Sequence, residues 1–201
     1  MQLDGENTFT SMGPQPFAGP APVFFVGTYD SHDRPNIMAA AMAGLCCTQP
    51  PCVALSVNKT TWTHSAIEQR GAFTLSIPSS EMAGKLDFCG LASGRSESKF
   101  YALGLTPAVG EHVDAPYIRE CPMVIELLVR QAFSLGAYTQ FVGEIMDVKI
   151  RSDCLMRDGM PDPAQLDALT FFPLVGEYYK TGVFAARAFA IGKTILRVES
   201  T

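Results

Sequence analysis

With 201 residues, 47% of them hydrophobic, the chain is long enough to bury a sizeable core and short enough for one domain. Its formal charge of -5 at pH 7, with no basic run, argues against nucleic acid or an anionic membrane as a partner. One phosphate held locally needs no overall positive charge, so a small phosphorylated ligand stays open.

Residues 1–20 are polar, rich in Gly and Pro and without period, and read as an arm leading into a domain over 21–201. "PVFFVGTYD" (22–30) reads as a buried strand, "SHDRPN" as a turn, and "IMAAAMAGLCC" (37–47) as a second strand of small residues. A third strand, "PPCVALSVN" (50–58), starts with two prolines, where missing donors matter least. A short helix, "THSAIEQRG", ends at Gly71 and leads into the alternating strand "AFTLSIP" (72–78). "SSEMAGKLDFCGL" and "SGRSESKFYALG" read as two further capped helices, the second closed by Gly104. Residues 121–150 hold two long β-rich runs joined near Gly136, a β-hairpin; short irregular elements follow. Strands dominate, helices are short and no βαβ alternation runs through the chain, so the fold reads as mainly β, an antiparallel barrel.

The six cysteines form no C-x-x-C pair, and the three histidines stand alone, so no zinc spacing is present. The start of the chain lacks the layout of a signal peptide and no apolar run approaches membrane length. Reduced thiols and a cytoplasmic location are the expectation, with each Cys a small buried hydrophobe.

Three stretches stand out chemically. "NKTTWTH" (58–64) crowds hydroxyls and Lys59 at a helix start, where free amides and the helix dipole favour an anion; helix capping alone also accounts for Thr61 or Thr63. "NIMAAAMAG" (36–44) lets a flat ligand approach the backbone, with Met38 and Met42 to pack on a ring, although a tightly packed interior strand would look the same. "LDFCGLASGRSESKF" (86–100) offers Ser93, Arg95, Ser98 and Lys99 as donors, or is a solvated linker. Glu144 reads as a structural strand residue and His64 as exposed; no nucleophile elbow, zinc-protease motif or catalytic carboxylate pair appears.

Taken in order, "RPNIMAAAMAGLCCTQPPCVALSVNKTTWTHSAIEQRGAFTLSIPS", "LDFCGLASGRSESKF", "GLTP", "APYIRECPMVIELLV" and "FVGEIMDVKI" resemble the flavin reductase-like, FMN-binding split-barrel family, on its flavoredoxin branch, across roughly residues 20–192. The resemblance implies a six-stranded antiparallel Greek-key split barrel with short peripheral helices, a homodimer, and FMN held noncovalently near the subunit interface. It implies that Asn36, Met38, Ala39, Ala40, Ala41 and Met42 run along the isoalloxazine ring. Ser56, Val57, Asn58, Lys59, Thr60 and Thr63 would surround the ribityl chain and phosphate. Cys89, Gly90, Ser93, Gly94 and Lys99 would form the second wall, and Tyr138 would lean toward a flavin. Against the family pattern, Ala39, Met42, Thr61 and Tyr138 stand where Thr, Trp, Arg and His are common. The implied activities are NAD(P)H-dependent flavin reduction or, sharing every motif, electron transfer to a protein partner through a tightly held FMN. A split barrel kept for another small ligand is the third reading. No dinucleotide fingerprint and no catalytic side chain are present.

Overall fold

The described residues, 9–16 and 19–193 of the computed structural model, form twelve strands and four short α-helices; residues 1–8 and 17–18 of the expected arm and 194–201 of the expected domain lie outside them. In chain order these are β1 (Ala21–Pro22), β2 (Phe24–Tyr29), β3 (Pro35–Ala40), β4 (Ala43–Thr48), β5 (Pro51–Asn58), α1 (Trp62–Arg70), β6 (Ala72–Ile77), α2 (Ala83–Leu91), α3 (Lys99–Ala102), β7 (Pro107–Val109) and β8 (Pro116–Ile118). The long hairpin β9 (Met123–Leu135) and β10 (Tyr138–Ile150), then α4 (Pro163–Leu166), β11 (Leu169–Phe172) and β12 (Glu177–Lys180), complete the set.

Seven strands make one antiparallel sheet in the order β3-β2-β6-β9-β10-β5-β4. Laid flat, its two edges would stand about 29 Å apart, six gaps of about 4.8 Å. Yet the edge strands β3 and β4 are joined by Ala41 and Met42 alone, a reach of about 10 Å. The sheet must therefore curl until its edges meet at that corner, which makes a barrel that is split rather than closed. The Ser56 amide donates to the Met42 carbonyl across the corner at 2.8 Å.

The barrel interior is filled by Phe24, Val26, Val53, Leu55, Val57, Phe73, Leu75, Leu127 and Phe141, with Ile67 of α1 closing it. On the other face of β2 and β3, Val23, Phe25 and Ile37 pack against Leu86 and Cys89 of α2 and Phe100 of α3. β2 is thus buried on both faces, so "PVFFV" is continuously apolar rather than alternating. Gly143 of β10 lies so close to the core that a Cβ would stand 2.9 Å from the Phe73 ring, beside a bulge that the register places at Arg130 of β9.

Two expected elements differ. The single strand expected over 37–47 is two strands, because a run of alanines carries no signal for the corner at Ala41–Met42, and this raises the barrel from six strands to seven. The helix expected over 93–104 is helical only at Lys99–Ala102; residues 93–98 form turns, with the Glu97 amide bonded to the Ser93 carbonyl.

At one end of the barrel the β2–β3 turn is closed by Asp30, which accepts from the amides of His32 and Arg34 and from Arg34 Nε at 2.8–3.0 Å. Burial works against the charge on Asp30, but these donors outweigh it and hold the carboxyl below its ordinary range. Arg70, in the last turn of α1, ties the same turn to Asp33 and to Asp114.

Candidate functional site

A cavity of about 640 Å³ opens beside the split of the barrel, within the range of ordinary small-molecule sites. Its floor is the β3–β4 corner, Met38 to Met42, where three successive alanines leave room that larger side chains would fill. Ser56, Val57 and Asn58 enter from the end of β5, Thr60 and Thr63 from the start of α1, and Cys89, Gly90, Ser93 and Gly94 from the end of α2 and the turn beyond it. Lys99 and Tyr138 also line it, so nearly all the expected positions converge on one wall-to-wall cleft.

Asn36 and Lys59 are placed elsewhere. Asn36 lies one step behind the wall, where it donates to the Thr63 hydroxyl at 3.2 Å and borders a smaller polar recess with Arg34 and Gly94. The Lys59 ammonium turns to the β9–β10 hairpin and donates to Ser134 Oγ at 2.6 Å and to the Gly136 carbonyl at 2.7 Å. The register Tyr138↔Asn58 brings that hairpin tip beside Lys59, a long-range pairing that outcompetes the local motif.

The helix start serves two purposes. Thr61 is the N-cap of α1 and accepts from the His64 amide at 3.2 Å, so capping accounts for one hydroxyl. Asn58 Oδ1 accepts from both the amide and the hydroxyl of Thr60, which fixes the turn from strand into helix. His64, expected to be exposed, is 6% accessible. Its Nε2 lies 2.7 Å from Thr139 Oγ1 and its ring packs on Phe141, because α1 lies directly over β10 there.

On the second wall Lys99 is almost fully buried and donates to the Cys89 carbonyl at 3.0 Å. Burial lowers the pKa of this ammonium, against a smaller opposing effect of Cys89, and burial also pushes the Cys89 thiol up to about 11. The Cys89 thiol is therefore inert at neutral pH.

Trp62 was not singled out in the sequence, and Arg95 only as a possible donor; both line the cleft. Trp62, first residue of α1, has a buried indole Nε1 with no partner among the described residues. Arg95 stands over its ring, 5.7 Å from the centroid, a cation–π distance. Gly94 fits between them and Asn36 because it lacks a Cβ: one would lie 2.3 Å from Asn36 Oδ1 and 3.1 Å from Trp62 Cδ1. The "SGRS" turn was visible as a donor source, but its pairing with Trp62 exists only in the folded chain. Pro16, Phe171 and Pro173, remote in sequence, add an apolar border.

A family model described as "Flavin reductase like domain" matches residues 18–171. Flavoredoxin of Desulfovibrio vulgaris (Miyazaki F) is similar at 51% identity with a TM-score of 0.89, over 92% of this chain and 100% of that one. Flavoredoxin from Methanosarcina acetivorans is similar at 28% identity and TM-score 0.86, over 94% and 99%. A ferric-chelate reductase (NAD(P)H) of Archaeoglobus fulgidus is 29% identical over 64% of this chain and 76% of its own. The curled sheet, the alanine-floored cleft at its split and the family model over residues 18–171 agree: this chain belongs to the flavin reductase-like domain family.

Proposed function

We propose that the chain is a cytoplasmic FMN protein of the flavin reductase type, a homodimer, that takes electrons from NAD(P)H through FMN held in the cleft. The cleft itself carries this reading: an alanine floor flanked by Met38, Met42 and Val57 at one side, and hydroxyls with a guanidinium at the other. A flat apolar ring fits the first surface and a phosphate the second. The unpartnered Trp62 Nε1, buried at the wall, supports a polar ligand that completes the site.

Bound there, FMN supplies hydride- and electron-transfer chemistry. The chain positions it. Ala39, Ala40 and Ala41 would present main-chain groups to the ring, and Arg95, Thr60 and Ser93 would hold the phosphate. The buried Lys99 donates to the Cys89 carbonyl and braces that wall. Leu91 and Phe171 add apolar surface to the cleft. None of these side chains acts as a general acid or base, and hydride delivery to a flavin requires none.

The homodimer is supported by apolar side chains left on the outer half of the β9–β10 hairpin, Phe133 at 51% and Leu135 at 67% exposure. All six cysteines stand as free thiols, as suits a reducing compartment; among the described residues no helix is long and apolar enough to cross a membrane.

A second reading, an electron carrier that keeps its FMN and serves a protein partner, is favoured by the 51% identity to a flavoredoxin. One experiment separates the two. The protein is loaded with FMN, desalted, and observed anaerobically at visible wavelengths after NADH or NADPH is added. A retained spectrum that bleaches with either nucleotide supports the reductase. A retained spectrum that neither bleaches supports the carrier, and loss of flavin on desalting without any turnover contradicts both.

A further inference from the structure

Half of the cysteines fall on the β4–β5 hairpin, and an irregularity there sets two of them against the third. Leu45 faces Val53 and Cys47 faces Cys52, a register that skips Cys46. Such a bulge makes two residues of one strand oppose one residue of its neighbour. Cys46 and Cys47 therefore both flank Cys52, and the Cys46 thiol lies 3.5 Å from the Cys52 carbonyl. Directly opposed residues of an antiparallel pair share a face, with Cα atoms about 4.5–5.5 Å apart. That spacing lies inside the span of about 4.4–6.8 Å that a disulfide bridges.

Accessibility divides the labour. Cys46 and Cys47 are exposed on β4, the edge strand of the sheet, while Cys52 is buried on β5. Burial, then the nearby Cys47 and Cys46 sulfurs, push the Cys52 thiol above its ordinary range. An exposed thiol directly opposite a sheltered one is the arrangement of an attacking and a resolving cysteine. Cys89, Cys121 and Cys154 are buried and offer no such access. Among the described residues no three His, Cys, Asp or Glu groups converge to hold a metal ion, so the hairpin assembles a thiol pair rather than a metal cage.

We propose that Cys47 and Cys52 form a thiol–disulfide exchange site, separate from the cleft, that reacts with low-molecular-weight disulfides. The Cys47 thiolate attacks one sulfur of the small disulfide; the S–S bond breaks, and the first small thiol leaves with the proton that Cys47 gave up. Cys52 then attacks the Cys47 sulfur of the mixed disulfide, loses its proton and expels the second small thiol. Two protein thiols become one disulfide and one small disulfide becomes two thiols, so electrons and protons balance. In a reducing compartment the pair stays open until the pool of small disulfides rises.

The test uses the full chain, reduced, desalted, and incubated with oxidised glutathione. Acid quenching, alkylation with iodoacetamide in denaturant at mildly alkaline pH, and intact mass spectrometry follow. The expected product has lost two hydrogens and takes up alkyl groups at two fewer cysteines than the six of the reduced chain. Cys47→Ser and Cys52→Ser should each abolish that product, whereas Cys46→Ser should retain it. Because Cys47 is exposed, its serine variant keeps the test valid if Cys52→Ser fails to fold. A glutathione adduct that persists without loss of two hydrogens overturns the proposal. So does a disulfide that survives in Cys47→Ser, or one that joins two chains.

Discussion

The barrel interior and the cleft share a border in β3, yet they solve opposite packing problems. Met38 and Ala40 pack toward the barrel interior, while Ala39 and Ala41 pack toward α2 and α3. Inside, Phe73, Phe141 and Leu55 are wholly or almost wholly buried, and a glycine at 143 is needed to admit the Phe73 ring. At the split, three alanines leave a cavity of about 640 Å³ open. Large side chains fill volume to near crystal density; a run of small ones withholds it. Stability thus resides in the interior, and ligand capacity in the gap that the sheet leaves where its edges meet.

The largest effect expected from this contrast lies in the interior. Phe73→Ala should cost about 3–5 kcal/mol of unfolding free energy, read as a lower midpoint in urea. A comparable loss from truncating a cleft residue such as Leu91, which is 83% exposed, would break the distinction. Next is the cleft itself. Arg95→Ala should weaken FMN binding about tenfold, or ~1.4 kcal/mol, in a fluorescence titration, with little change in thermal stability.

Much of this contrast was legible in the sequence, and the parts that were not share a cause. "PVFFV", "VALSV" and the long runs of residues 121–150 declare strands through continuous or alternating apolar residues, and Gly71 and Gly136 mark a helix end and a hairpin turn. The corner at Ala41–Met42 is silent, since alanines fit a strand and a bend equally well. Lys59 looked like an anion ligand because its neighbours in sequence are threonines; its actual partners, Ser134 and Gly136, are more than seventy residues away. His64 carries no local sign that Thr139 and Phe141 will cover it. Arg95 and Trp62 were each in view, but their stacking is a property of the fold. Family resemblance recovered the cleft because it carries tertiary information that spacing alone lacks.

Two smaller effects sharpen the comparison at its margins. Asp30 closes the end of the barrel, and its folded pKa is held below the ordinary 3.8. Its contribution is therefore fully present above that pH and is lost as pH falls through the lower folded value. Asp30→Asn should cost about 1 kcal/mol at pH 7 and flatten the acid limb of a thermal-stability profile; an unchanged acid limb would assign the acid sensitivity to other carboxylates. The smallest effect belongs to Lys59. Because its ammonium is tied to the hairpin, Lys59→Ala should leave FMN affinity within about twofold, and a loss matching that of Arg95→Ala would return Lys59 to the phosphate site.

The central claim is that FMN occupies the cleft at the split of the barrel, and the chain carries a natural probe for it. Trp62 is the sole tryptophan and lines that cleft. Titrating FMN into the protein while following tryptophan emission should give saturable quenching that reports ligand arriving beside the indole. Flavin that stays with the protein through desalting while Trp62 emission is unchanged would contradict the account, because FMN would then be bound somewhere other than this cleft.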